Sequence, residues 1–308
     1  MPKHAASAGR HAAPPAPRHG HGKKKRRAKR RDPWRASLAS LLIAALGLAV
    51  WHLTRDAFIE RREQKTFDSL AVIKAESAAA PAAGGVSEAA TPAVAPAPGT
   101  PAPENSTVSV AEEKEKMVLP EYARLHELNR EFFGWLTAEA VGVDFPVMYS
   151  PDRADYYLNR DFYGRRSNAG TPFIDGNCPP EGNFYLIHGH HMADGEIFGQ
   201  LESYLIPGFA HEHPTITFDT LYEHREYEIV FAFRSQVHED SVTGVFKYYE
   251  CADLTDEASF NEYVRQVRAI AAVDTGAEVQ YGDELLALST CHYHVLEGRL
   301  VVVGKRIE

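Results

Sequence analysis

Residues 285–307 read LLALSTCHYHVLEGRLVVVGKRI, two apolar runs joined by the short link HYHVLEG. The runs, LLALSTC (285–291) and RLVVVGKRI (299–307), are rich in the aliphatic and β-branched residues that favour strands. The link ends in glycine, a turn residue. The pattern predicts a hairpin of two neighbouring strands, in which Cys291 and Arg299 lie at strand ends that face each other.

Five further strand candidates precede this hairpin. They are short, several alternate apolar and polar residues, and turn residues such as Pro179-Pro180 and Pro207-Gly208 separate them. Many short strands with few helices predict a mainly β fold, a barrel or a sandwich, rather than a parallel α/β sheet. The candidates are VDFPVMY (143–149), TPFID (171–175), NFYLIHG (183–189), TITFDT (215–220) and REYEIVFAFRSQV (225–237).

Three segments have apolar residues at helical spacing. They are 122–135, 195–205 and 256–272, and Thr255 is the predicted N-cap of the last one. Strands and helices together predict one globular domain over residues 117–308, a length sufficient for a single hydrophobic core.

The N-terminal part of the chain has a different composition. Residues 1–35 hold 12 Lys and Arg against one acid, a charge of about +11, whereas the rest of the chain carries about −20. Residues 36–53 (ASLASLLIAALGLAVWHL) contain no Asp, Glu, Lys or Arg, and a helix of that length spans ~27 Å, close to the hydrocarbon core of a bilayer. Residues 54–116 comprise a juxtamembrane segment and an Ala/Pro-rich linker with too few large apolar residues to fold.

These features predict a single-pass membrane protein whose signal-anchor helix is 36–53. By the positive-inside rule the basic tail 1–35 is cytoplasmic, so the domain 117–308 is extracellular. A cleaved signal peptide is the first alternative, but the apolar run is longer than the usual h-region of about 7–15 residues and no small-residue cleavage site follows. A nucleic-acid-binding tail is the second, and the adjacent apolar segment argues against it.

The chain has three cysteines, Cys178, Cys251 and Cys291. In an oxidising compartment an odd number leaves at least one thiol unpaired, or paired between chains. Cys178 and Cys251 either form a bridge or remain two separate thiols, and the sequence leaves both alternatives open.

Reactive side chains concentrate at three predicted strand ends: LIHGHHM (186–192), Cys291 and Arg299. Cysteine is a strong nucleophile only as the thiolate, which a neighbouring imidazole and guanidinium favour. The imidazole can protonate a leaving amine and then deprotonate an incoming one. The guanidinium can stabilise a carbonyl oxygen as it becomes negative. This set of residue types predicts acyl transfer through a cysteine nucleophile.

Several motifs resemble those of the sortase family, in the family's order, over roughly residues 122–308. ALSTC (287–291) followed by Arg299 is similar to the TLxTC…R motif, with Ala287 where threonine is frequent, and IHGHHM is similar to the family's Gly-His segment. The helix 256–272 makes the class B sortases the most similar class. The upstream matches are FGWL (133–136), DFPV (144–147), DYYLNRDFYG (155–164) and AGTPFID (169–175).

The resemblance implies a closed eight-stranded β-barrel that acts as a cysteine transpeptidase and endopeptidase without cofactor or metal. It implies that Cys291 is the nucleophile, His190 the acid/base and Arg299 the cation beside the developing oxyanion. Four further residues are predicted to line the substrate groove: Ser289, Thr290, Tyr157 and Leu158.

The resemblance also implies the substrates. The enzyme would cleave the C-terminal sorting signal of surface proteins after a threonine and form a thioacyl intermediate on Cys291. The acyl group would then pass to an amine of a peptidoglycan precursor or of a pilin.

The sequence leaves two alternatives to this function. A non-catalytic envelope protein could keep the same barrel, although the presence of all three reactive residues argues against it. A set of histidines could form a zinc site, since His-x-His on a strand directs both rings to one face, but no HExxH-like pattern accompanies them. Papain-like proteases are not a match because their cysteine precedes their histidine. The histidines in question are His188, His190, His191, His211, His213, His292 and His294.

Overall fold

The computed structural model describes residues 33–79, 116–192, 194–251 and 253–308. The basic tail up to residue 32 and the linker residues 80–115 lie outside the described part of the chain. The chain divides into two units, Met1–Leu53 and Thr54–Glu308.

Helix α1 (Pro33–Ala79) begins in the first unit. Its large apolar side chains from Leu38 to Trp51 are each more than half exposed. Over the residues that the structure describes, no helix is both long and apolar enough to cross a membrane. The signal-anchor at 36–53 stays a prediction.

The second unit contains three further helices and nine strands among its described residues. The helices are α2 (Pro120–Leu128), α3 (Pro207–Glu212) and α4 (Glu257–Ile270). The strands are β1 (Phe132–Ala138), β2 (Val143–Met148), β3 (Phe173–Ile174), β4 (Phe184–His188), β5 (Thr215–Thr220), β6 (Glu226–Gln236), β7 (Ala271–Asp274), β8 (Leu285–Cys291) and β9 (Gly298–Arg306).

Eight of these strands close into a barrel. Their order is β5-β1-β2-β3-β4-β8-β9-β6, and β6 pairs back onto β5. The ring closes through the first residues of β6, Glu226–Glu228, whereas Phe231–Phe233 of the same strand pair with β7. β7 therefore lies outside the ring. The closed eight-stranded barrel implied by the family resemblance is confirmed.

The central hairpin β8–β9 is buried almost without interruption, from Leu285 to Thr290 and from Leu300 to Gly304. It does not alternate between buried and exposed residues, because one face fills the barrel and the other is covered. Helix α4 packs on the neighbouring strand β4, where its Tyr263 ring lies 5.2 Å from the ring of Phe184. Each large apolar side chain buried in this way contributes ~1.5–3 kcal/mol to folding.

The helix predicted over 122–135 is wrong in its second half. Helix α2 ends at Leu128, and FFGWLTA forms strand β1. Leu128 and Phe132 are four residues apart, the spacing of one helix face, so the sequence pattern did not indicate a strand here. Gly134 lies within β1, where it allows a close approach between strands: a Cβ atom there would collide with the carbonyl oxygen of Asp219 on β5.

The other helix predictions need smaller corrections. The N-cap of α4 is Asp256 rather than Thr255, and its carboxylate accepts a hydrogen bond from the Ser259 amide at 2.9 Å. The helix ends at Ile270 and strand β7 follows. The helix predicted over 195–205 is a 3-10 helix, Gly199–Leu205. Pro207-Gly208, predicted as a turn, opens α3, since proline is favoured at the first helical position.

The C-terminal part of α1 packs on the barrel within the second unit. Phe67 and Leu70 are buried, and the Phe67 ring lies 4.8 Å from that of Phe145 on β2. Glu63 is also buried, and it accepts three hydrogen bonds from the loop before β3. The donors are Ser167 Oγ at 2.8 Å, the Asn168 amide at 2.6 Å and the Ala169 amide at 3.2 Å.

We expect Glu63→Ala to lower the free energy of unfolding by about 2–4 kcal/mol, because it leaves buried donors without an acceptor. The amides of Asn168 and Ala169 should also exchange with solvent faster. Urea unfolding and hydrogen exchange measure the two effects. Gln64→Ala, on the exposed neighbour, is the control and should change stability by less than about 0.5 kcal/mol. Equal behaviour of the two variants would contradict this role of Glu63.

Candidate active site

The three candidate catalytic residues lie at one end of three adjacent strands. β4 runs parallel to β8, with His188 beside Ser289, and β8 pairs antiparallel with β9. In the β8–β9 register Cys291 is directly opposite Arg299. The predicted hairpin is therefore present, and the end next to its connecting loop carries the thiol and the guanidinium on neighbouring strands.

His190 stands two residues beyond the end of β4. The amide of Gly189 donates to the carbonyl of Ser289 at 3.1 Å, which prolongs the β4–β8 pairing up to the histidine. The Nε2 atom of His190 is 2.7 Å from the carbonyl oxygen of Leu158. A carbonyl oxygen only accepts hydrogen bonds, so Nε2 carries a proton and Nδ1 of the neutral ring is the basic atom.

Arg299 is the second residue of β9, and two contacts hold its guanidinium there. Its Nη1 donates to the carbonyl of Gly298 at 3.0 Å, and Nη2 lies 3.6 Å from the carboxylate of Glu297, which is mostly exposed. An exposed ion pair of this kind is weak. The guanidinium has five N–H donors, more than these contacts use. It can therefore donate to a substrate oxygen.

The two residues before the nucleophile, Ser289 and Thr290, are both buried. The Ser289 hydroxyl is hydrogen-bonded to the Tyr248 hydroxyl at 2.7 Å, and burial raises the pKa of Tyr248 to about 12. The Thr290 Oγ1 atom is buried and has no hydrogen-bond partner among the described residues. Their predicted contact with substrate stays a prediction.

Tyr157 and Leu158, both predicted to line the substrate groove, make different kinds of contact. Tyr157 is buried, its hydroxyl donates to Glu131 at 2.6 Å and accepts from Asn129 at 2.9 Å, and burial raises its pKa. These bonds give Tyr157 a packing role, and its predicted contact with substrate is untested. Leu158 acts through its backbone, because its carbonyl orients His190. The side-chain pattern of the sequence contains no signal for a backbone contact of this kind.

His188 belongs to a different pair. Its Nε2 lies 2.9 Å from the Asp175 carboxylate. Burial alone would raise the pKa of Asp175, but hydrogen bonds from His188 and Asn177 outweigh it and hold that pKa below its ordinary value. Over the described part of the chain, no three His, Cys, Asp or Glu side chains form a group that could hold a metal ion.

All three cysteines are unpaired. Of the alternatives left open for Cys178 and Cys251, two separate thiols is the one observed. Cys178 is buried, its sulfur accepts from the Leu186 amide at 3.4 Å, and burial raises its pKa to about 12. Burial also raises the pKa of Cys251. A raised pKa disfavours the thiolate, so both are poor nucleophiles at neutral pH. Cys291, in contrast, is paired in the β8–β9 register with a cationic residue, Arg299.

Comparison with known proteins identifies sortase B enzymes as similar in sequence and in structure. No protein-family model matches the chain. Sortase B of Listeria monocytogenes is 29% identical over 194 residues, 62% of this chain and 75% of the relative. Sortase B of Staphylococcus aureus is 25% identical over 195 residues, 62% of this chain and 76% of the relative. The solved structure of a Staphylococcus aureus sortase B–substrate complex superposes with a TM-score of 0.54 at 23% identity, covering 63% of this chain and 87% of that chain.

These similarities confirm the resemblance to class B sortases, and with it the prediction of a sortase-type enzyme.

Proposed function

We propose that this class B sortase-like protein is a cysteine transpeptidase that acts on the C-terminal sorting signal of surface proteins. The observation that carries the proposal is the pairing of Cys291 with Arg299 across β8 and β9, next to the strand end that bears His190. A nucleophile, a permanent cation and a base at one barrel end suit acyl transfer, since attack, charge stabilisation and proton transfer occur at adjoining atoms.

The proposed reaction has two halves. In the first, the Cys291 thiolate attacks the carbonyl carbon of the scissile peptide bond, and Arg299 stabilises the negative oxygen. The C–N bond breaks, and the leaving amine takes a proton from the His190 imidazolium. In the second, an acceptor amine attacks the thioester and gives its proton to neutral His190, and the C–S bond breaks to release the thiolate. The acceptor is an amine of a peptidoglycan precursor or a pilin.

The orientation of His190 supports this proton transfer. Because Nε2 is bound to the Leu158 carbonyl, Nδ1 is the atom that gains and loses the proton. The carbonyl fixes the ring in one tautomer, as a positioned acid/base requires.

We further propose that residues 36–53 anchor the protein in the cell membrane, with the tail 1–35 in the cytoplasm and the domain 117–308 outside. The absence of charge in this segment, its exposed apolar side chains and the basic residues before it support the proposal. Protease protection in membrane vesicles tests the orientation.

A peptide library incubated with the full-length protein and an amine acceptor tests the enzymatic proposal. We expect a subset of peptides to be cleaved after threonine and joined to the acceptor. The intact mass should transiently increase by that of the acyl fragment, on the tryptic peptide that contains Cys291. Cys251→Ala should form the same adduct. Cleavage without acylation of Cys291, or no cleavage of any peptide, would overturn the proposed mechanism.

A further inference from the structure

The loop that joins β8 to β9, residues 292–297, contacts the other segments that carry candidate catalytic residues. We name it the histidine loop. The amide of His292 donates to the Gly298 carbonyl at 2.9 Å. The Tyr293 ring lies edge-on to that of His191, 5.5 Å away, next to His190. The loop therefore contacts both the arginine strand and the segment that carries His190.

A contact between two imidazoles joins the first and third residues of this loop. The Nδ1 atoms of His292 and His294 are 2.8 Å apart, and their ring centroids are 4.8 Å apart. The pair lies against the first residue of β9: a Cβ atom on Gly298 would lie 2.9 Å from the His294 ring. A bond between two Nδ1 atoms needs one that carries a proton and one that does not. It therefore forms only while at least one ring is neutral.

The surroundings of His292 favour its neutral form. Its side chain is 13% exposed. Burial lowers its pKa, and His294, Arg234 of β6 and His191 act in the same direction, while Glu202 of the 3-10 helix acts against them. His294 is exposed, and we assign its Nδ1 as the donor and the Nδ1 of neutral His292 as the acceptor.

We propose that His292 and His294 are positioning residues whose Nδ1–Nδ1 hydrogen bond holds the histidine loop closed and so fixes Cys291 opposite Arg299. This role rests on the proposed function, in which both side chains act on one carbonyl group. The bond survives protonation of His294. It is lost when His292 also gains a proton, because both Nδ1 atoms then donate.

The pH dependence follows from the sign of the shift. The pKa of His292 is lowered in the folded protein, so the closed loop is fully present above the ordinary range of histidine. It is lost as the pH falls through the lowered pKa of His292. The site is therefore better ordered at neutral than at acidic pH.

Substitutions at His294 in the full-length protein test the proposal. His294→Phe keeps a ring over Gly298 but removes Nδ1, and His294→Asn supplies an amide that donates like Nδ1 and does not titrate. We expect His294→Phe to lower kcat about 5- to 10-fold at pH 7.5, equivalent to about 1–1.4 kcal/mol, with a smaller change in KM. His294→Asn should stay within about twofold of wild type. His211→Phe, at an exposed histidine of α3, is the matched control.

The pH profile separates positioning from a general structural effect. In His294→Asn the amide can turn and accept from a protonated His292, so activity between pH 7.5 and 5.5 should fall less than in wild type. The rate of Cys291 alkylation by iodoacetamide, followed by peptide mass mapping, should rank the variants in the same order, since an arginine held opposite the thiol favours the thiolate.

The alkylation assay needs no peptide substrate, so it tests the loop even if the proposed transpeptidation fails. Equal alkylation and kcat in His294→Phe and His211→Phe would overturn the inference. If His294→Phe does not fold, an unchanged pH profile in His294→Asn would do so.

Discussion

Replacing Cys291 with alanine should reduce both peptide cleavage and transfer to below about 1% of the wild-type rate, because the thioacyl intermediate then has no atom on which to form. The domain should still fold. The residue lies at the end of β8 and is only partly buried, and its pairing with Arg299 uses backbone atoms. The expected change in unfolding free energy is below about 1 kcal/mol.

Rates of cleavage and transfer, together with urea unfolding of the same sample, measure this prediction. Cys251→Ala is the matched control, since it also removes a partly buried thiol but should leave the rates unchanged. Activity of Cys291→Ala well above the 1% level, in a folded sample, would exclude Cys291 as the nucleophile.

His190→Ala should lower kcat/KM at least ~100-fold, the range expected for a positioned acid/base. The rates of both half-reactions should decrease, because the same ring first gives and then takes the proton. Added imidazole should restore part of the activity, since a free ring can enter the space left by the side chain. Steady-state kinetics with and without imidazole measure both effects.

The neighbouring histidines are the controls for this second prediction. His188 is paired with Asp175, and His191 contacts Tyr293, so the loss in His188→Ala and His191→Ala should be much smaller. A larger loss in His191→Ala than in His190→Ala would move the acid/base assignment by one residue.

The sequence predicted well-separated strands more accurately than the segments in which a helix leads directly into a strand. The strands 215–220 and 285–291 have their predicted bounds, because runs of apolar or β-branched residues between clear turn signals are unambiguous. β1 was missed because two aromatic residues after a short helix continue its period. β7 was missed because the apolar positions of α4 continue into it.

The same contrast holds within the candidate site. The register of Cys291 with Arg299 followed from their spacing, since a hairpin fixes which residues face each other. The Leu158 carbonyl beside His190 did not, because a backbone acceptor can be contributed by any residue type. The sequence indicated His292 and His294 only as possible metal ligands. A bond between two imidazoles depends on protonation and ring orientation, which spacing does not encode.

The insertion of β8 and β9 between β4 and β6 has a consequence for how the enzyme becomes active. The hairpin itself is local, but its pairing with β4 joins residues about a hundred positions apart, such as His188 and Ser289. Contacts of this range form late, because the chain must first close a long loop. In a partly folded chain that lacks this insertion, the segment that bears His190 is apart from the hairpin that carries Cys291 and Arg299. The proposed site is therefore assembled only when the ring is complete, and we expect a partly folded chain to lack the proposed activity.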